Sequence, residues 1–92
     1  MTTPFFSVII PTFARPEALT ACVQAIMKLD YPQDRFEVII VDDGSPVPIQ
    51  PFDQNLRDGA NITFLRQTNT GPASARNTGA EHAKGDILAF TD

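Results

Sequence analysis

The stretch VIIVDDGSP, Val38 to Pro46, decides the fold. Val38-Ile39-Ile40-Val41 is an unbroken β-branched run, the composition of a strand buried on both faces. It runs straight into two aspartates, and Gly44, Ser45 and Pro46 then turn the chain. In open α/β sheets ligands bind beyond the carboxyl ends of the strands, where strand order reverses. A strand that carries Asp42 and Asp43 to that edge is a candidate part of a site. The plainer reading is turn chemistry or a helix N-cap. For Asp42 alone the two readings stand level. For the pair, beside a second acidic strand end at Asp92, the site reading is preferred.

Upstream, Phe5 to Ile10, FFSVII, predicts a buried strand stopped by Pro11. Pro16 suits the first turn of a helix, with Glu17 near its start and Lys28 in its last turn. Leu19, Cys22, Val23 and Ile26 recur on one face of it, and Asp30-Tyr31-Pro32 ends it. Phe36 to Val41, FEVIIV, is the second strand. Residues 44 to 61 are rich in Pro, Gly, Asn, Asp and Gln, with a weak helical signal near Asp53–Asp58. Ile62 to Arg66, ITFLR, predicts a third strand nearer an edge. Thr68 to Gly71 is a turn. Pro72 opens a second helix, which Gly85 closes as a C-terminal glycine does. Its candidate buried positions are Ala73, Ala80 and Ala83, with Gly79 beside them, so its backbone approaches the layer beneath. Ile87 to Thr91, ILAFT, is a fourth strand. The order β-α-β-loop-β-α-β predicts an α/β protein with a mainly parallel sheet covered by helices.

The 92 residues fit one domain with a modest core. Hydrophobic residues at 42 % and charged residues at 20 % are ordinary globular composition. A formal net charge of −4 argues against nucleic acid as a partner. It leaves a nucleotide ligand open, because a metal ion bridges acidic side chains to phosphates. Cys22 is the sole cysteine, which rules out an intrachain disulfide and a thiolate zinc cluster and favours a reducing compartment. MTTPFF has no signal-peptide pattern, and no run approaches the roughly 20 apolar residues of a membrane span. The expected location is cytoplasmic.

Several chemistries lack their signatures. There is no G-x-G-x-x-G after the first strand, no G-x-x-x-x-G-K-[ST] and no G-x-S-x-G. A receiver domain needs its acidic pair after the first strand, which here ends in Pro11-Thr12-Phe13. Bland roles are expected elsewhere. Pro11 stops a strand, Phe13 and Cys22 are core candidates, His82 lies on a surface, and Arg15 and Arg66 read as solvated charges.

Three segments, FSVIIPTFARPEAL, YPQDRFEVIIVDDGSP and NTGPASARNTGAEHAKGDILAFTD, together resemble the N-terminal half of a family 2 glycosyltransferase with the Rossmann-like GT-A fold. The resemblance runs from Phe6 to Asp92. It implies that the first strand end and the last aspartate of the second strand hold the base of a nucleotide-sugar, usually uridine. That assigns Pro11, Thr12, Phe13 and Asp43, with Asp42 structural. The N-x-G-x-x-x-A-R-N-x-G segment matches Asn69, Gly71, Ala75, Arg76, Asn77 and Gly79. It borders the nucleotide in the family, making Asn69 and Arg76 candidate contacts. Arg76 serves equally as an ion-pair partner for a strand-end aspartate. Asp92 matches the first carboxylate of the D-x-D motif, which binds ribose and, through Mg²⁺ or Mn²⁺, the diphosphate.

The resemblance also implies what to expect of the whole. The 92 residues end within D-x-D, so the expectation is the donor-nucleotide half of a longer inverting enzyme. Its general base and acceptor site would lie beyond Asp92, and any membrane attachment of the full-length parent, at a cytoplasmic face, would reside in the missing parts. The partner is a nucleotide-sugar donor, with UDP-sugar first. A non-catalytic nucleotide-binding module and a structural remnant remain the alternatives.

Overall fold

Strand-forming runs become a sheet only when each finds a neighbour, and here every one does. A computed structural model describes residues 3–46 and 61–91. Strands β1 (Phe6–Thr12), β2 (Phe36–Asp42), β3 (Ile62–Arg66) and β4 (Ile87–Phe90) pair in parallel in the order β3-β2-β1-β4. Helix α1 (Pro16–Met27) links β1 to β2, and α2 (Pro72–His82) links β3 to β4. The chain steps outward from β1 to β3, then returns to the far side of β1. Strand order therefore reverses between β1 and β4, and the expected loop-separated parallel sheet is the one observed. The helical signal near Asp53–Asp58 and the carboxylate of Asp92 lie outside the described residues.

Alternation along the two central strands splits the core into two layers. Val8, Ile10, Phe36, Val38 and Ile40 pack with Leu19, Val23 and Ile26 of α1. Ile9, Ile39 and Val41 face the other way, towards Ala75 of α2. Every residue of β2 is buried, as its continuous apolar run predicts. β3 sits at one edge, as expected, and β4 at the other, with Ile87, Leu88 and Phe90 exposed.

The two helices dock differently. Branched side chains hold α1 off the sheet, whereas α2 lies close. A Cβ at Gly79 would come within 2.5 Å of Ile9 Cγ2. The buried positions of α2 are Ala75 and Gly79, one helical turn apart, with Ala80 and Ala83 packed alongside. Ala73, expected inside, is exposed. Two residues of helix rotate a side chain by about 200°, so Ala73 and Ala75 fall on opposite faces.

Two further expectations change. Pro11 does not stop β1 but lies within it, paired in register with Val41. Thr91 N–H donates to Ile9 O (3.1 Å) and Asp43 N–H to Thr12 O (2.9 Å). Alternation then points the Pro11 nitrogen to the β4 side, where pairing has already ended at Ile9. A missing donor costs nothing there. Gly85 does not cap α2, which ends at His82. It is the point where the α2–β4 turn touches β1, and a Cβ would lie 2.6 Å from Ser7 N and 2.6 Å from Ser7 Oγ. Beneath this turn is a buried carboxylate. Glu37 Oε2 accepts from Ser7 Oγ (2.6 Å) and Lys84 N–H (2.7 Å), and Gly85 N–H donates to Ser7 Oγ (2.8 Å). Burying Glu37 is tolerable because these donors replace its water.

Candidate nucleotide-binding cleft

Three strands finish level at the carboxyl edge, with Thr12 paired to Asp42 and Asp42 to Arg66. The two aspartates then diverge in what they hold. Asp42 Oδ1 accepts from Ser45 N–H (3.0 Å) and Ser45 Oγ (2.6 Å), closing the turn. Its Oδ2 accepts from Arg66 Nη1 at 2.7 Å, while Arg66 Nη2 donates to Ser45 O at 2.8 Å. Asp42 thus holds the turn at Ser45 and the Arg66 guanidinium. Arg66 is no free solvated charge. Its side chain is 46 % exposed against 7 % for Asp42, so its grip is partly screened. The buried Ser45 hydroxyl also accepts from Ala14 N–H at 2.8 Å. Ala14 has φ 53°, left-handed backbone that costs an alanine about 1 kcal/mol. This bond ties the segment after β1 to the turn after β2.

Asp43 holds the approach to α2. Its Oδ1 accepts from Gln67 Nε2 (2.9 Å) and Thr70 N–H (3.0 Å), and its Oδ2 from Gly71 N–H (3.0 Å). Its carbonyl accepts from Asn69 Nδ2 at 3.0 Å. The carboxylate is buried at the N-terminus of α2, where a negative charge is favoured. Its pKa lies below the ordinary 3.8. The Gln67 amide is the main cause, the Thr70 N–H next, and the Gly71 N–H adds to them against the opposing effect of burial. Asp43 is therefore anionic at neutral pH. Gly44 at φ 77° allows the turn to press against this loop, since a Cβ would sit 2.7 Å from Asn69 N.

Between α1, β1 and the start of α2 lies a cleft of about 450 Å³. Pro11, Thr12, Phe13, Asp43 and Arg76 line it, together with Arg15, Leu19, Cys22 and Pro72. Five of the seven expected contacts thus line one cleft. Phe13 is not core. Its ring is 45 % exposed at the cleft. Asn69 does not line this cleft; it borders a second opening with Gly44, Arg66, Gln67 and Thr68, and its side chain donates to the Asp43 carbonyl. Asp92 is outside the described residues. Among the described residues no three His, Cys, Asp or Glu side chains gather as a metal cage. Gln67 and Ser45 escaped the sequence reading. The strand-end rule that singled out Asp43 points equally to Gln67, which follows β3 directly.

A cleft with one anionic wall, two arginines and an exposed aromatic ring suits a ligand with a flat base and phosphates. The sequence model described as glycosyl transferase family 2 matches residues 7–92. Glycosyltransferase AglE of Haloferax volcanii is 36 % identical over 94 residues, covering 99 % of this chain and 31 % of AglE. The crystal structure of Staphylococcus aureus TarS 1–349 in complex with UDP superposes with a TM-score of 0.86 at 32 % identity, over 96 % of this chain and 27 % of that one. The mannosyltransferase PcManGT of Pyrobaculum calidifontis, in complex with GDP-Man and Mn²⁺, gives 0.79 at 28 % identity, over 95 % of this chain and 26 % of that one. The chain spans about a third or less of the length of these relatives.

Proposed function

The chain belongs to glycosyl transferase family 2, and from that premise we propose that it binds the nucleotide of a UDP-sugar for an inverting sugar transfer. Its parallel sheet with a helix on each face is the GT-A architecture. The observation that carries the donor reading is the cleft itself. Pro11, Thr12, Phe13, Asp43 and Arg76 come from three separate segments and meet around one cleft. The UDP complex of TarS, alike over nearly the whole chain, favours uridine as the base.

In this reading Phe13 lies against the base and Asp43 accepts from a base N–H. A carboxylate has about four lone-pair sites, and three are engaged by Gln67, Thr70 and Gly71. Arg15 and Arg76 supply positive charge for the phosphates. A divalent cation, Mg²⁺ or Mn²⁺, would neutralise charge on the departing diphosphate, and the Mn²⁺ of the GDP-Man complex favours its use. Asp92, which matches the first carboxylate of the D-x-D motif, is its proposed ligand here. The relatives' greater length supports reading these 92 residues as the donor part of a larger catalytic domain, with the general base and acceptor site outside it.

The test is calorimetric titration of the intact protein with UDP and with GDP, each with Mg²⁺. UDP is expected to bind and to bind more tightly. No heat from either would sink the reading, and preference for GDP would reassign the base. Asp43→Ala is expected to raise the UDP dissociation constant severalfold or more.

A further inference from the structure

Gln67 does not line the cleft, yet its side chain has a fixed task. It sits one residue beyond β3, half-buried, and its backbone N–H donates to Asp42 O at 2.9 Å. Its amide has only one workable orientation. The Asp43 carboxylate can only accept, so the group 2.9 Å from Asp43 Oδ1 must be the Gln67 NH₂. Gln67 Oε1 then faces Thr78 Oγ1 at 2.5 Å, and that hydroxyl donates. The second hydrogen of Nε2 reaches Thr70 Oγ1 at 3.1 Å. Gln67 thus joins β2, the loop before α2 and α2 itself through side-chain groups.

We propose that Gln67 is a positioning residue for the donor, locking the Asp43 carboxylate so that its spare acceptor capacity meets the nucleobase. The inference rests on the nucleotide reading above. Oδ1 is occupied twice, by Gln67 and by Thr70 N–H. Oδ2 accepts only Gly71 N–H among the bonds described, and so keeps room for a ligand N–H. Without Gln67 the carboxylate is free to rotate about its Cβ–Cγ bond, and a base N–H meets a moving acceptor. The charges near Asp43 come from every neighbouring element. They are Asp42 on β2, Arg66 on β3, Arg15 before α1 and Arg76 on α2. None of these is changed by a substitution at Gln67, which isolates the effect of the amide.

The experiment compares the intact protein with Gln67→Met, close in volume but without the amide, and Thr78→Val, which removes the hydroxyl that orients the amide and that also meets Ser74 O. Two readouts are taken, UDP affinity by calorimetry across pH and titration of the Asp43 carboxyl by carbon NMR. Gln67→Met is expected to weaken UDP roughly tenfold, the scale of one charge-assisted bond, and to move the Asp43 titration upward. Binding should then fail at a higher pH on acidification. Thr78→Val should move both readouts the same way by less. An unmoved Asp43 titration in Gln67→Met overturns the proposal. So does a moved titration with unchanged UDP affinity, which would leave Gln67 a purely structural residue. Failure of the unmodified protein to bind UDP or GDP overturns the nucleotide reading, and this inference with it; that failure shows before any substitution is made.

Discussion

Replacing Asp43 by asparagine keeps its shape and removes one acceptor and the charge. The three donors around it cannot all be served by an amide. With the amide oxygen towards Gln67 and Thr70, its NH₂ faces Gly71 N–H, donor against donor. With the amide reversed, two donors are stranded in place of one, so the first arrangement prevails. Leaving one buried N–H without a partner costs about 1–3 kcal/mol. The two surviving bonds lose their charge assistance, which roughly halves them. The expected destabilisation is about 2–4 kcal/mol at neutral pH, large against the roughly 5–15 kcal/mol that holds a domain together. The pH dependence follows in sign. A carboxyl with folded pKa below its unfolded value adds stability above the unfolded value and loses it as pH falls through the folded one. The gap between the two proteins should be constant from neutral pH down towards 3.8 and should narrow below it. Urea unfolding at a series of pH values measures it. A gap under about 0.5 kcal/mol, within ordinary surface-substitution scatter, would refute the reasoning. So would a gap that persists on acidification.

Three other substitutions probe the frame around the cleft. Gly79→Ala should destabilise by about 1–3 kcal/mol in urea unfolding despite better helix propensity, because the new Cβ meets Ile9 Cγ2 on a stiff, buried side chain; a stabilised protein would mean that α2 is free to lift. Gly85→Ala should cost more. Its Cβ meets the Ser7 backbone nitrogen at 2.6 Å and the Phe5 carbonyl at 2.9 Å, which cannot move aside. Faster amide exchange along β4 checks this, and unaltered protection there would contradict it. Ser45→Ala removes the acceptor for Ala14 N–H. It should speed exchange at Ala14 and weaken UDP severalfold, whereas an equally protected Ala14 amide would show that the segment holds itself.

Much of this architecture was legible in the chain. β3 falls where its apolar run places it, β2 extends one residue further, and the buried run of β2 needed no interpretation. The cleft followed from strand order and from the residues at the strand ends. What escaped notice depends on partners far along the chain. The bonds of Gln67 to Asp43 and of Ser45 to Ala14 span 24 and 31 residues, and periodicity within a segment carries no trace of them. The role of Pro11 required knowing which neighbour its nitrogen faces. The phase of α2 was ambiguous because alanine and glycine give too faint an apolar stripe to separate Ala73 from Ala75. Ser7 and Glu37 sat in plain view as polar interruptions of two strands. Only the register that sets them side by side explains them.

Helix α2 is moored at both ends by carboxylates borne on β2 and just past its end. Asp43 takes the N–H groups at its entry, and Glu37 takes the turn that follows its exit. Gly79 leaves it no clearance over Ile9 in between. A helix so fixed is a strut. It resists being drawn towards a ligand and equally resists drifting away. The side of the cleft formed by Asp43 and Pro72 therefore stands ready before anything arrives, and little ordering entropy remains to be lost there on association. Adaptation to different donors would have to come from the opposite wall, where Phe13 projects from a segment held by one hydroxyl.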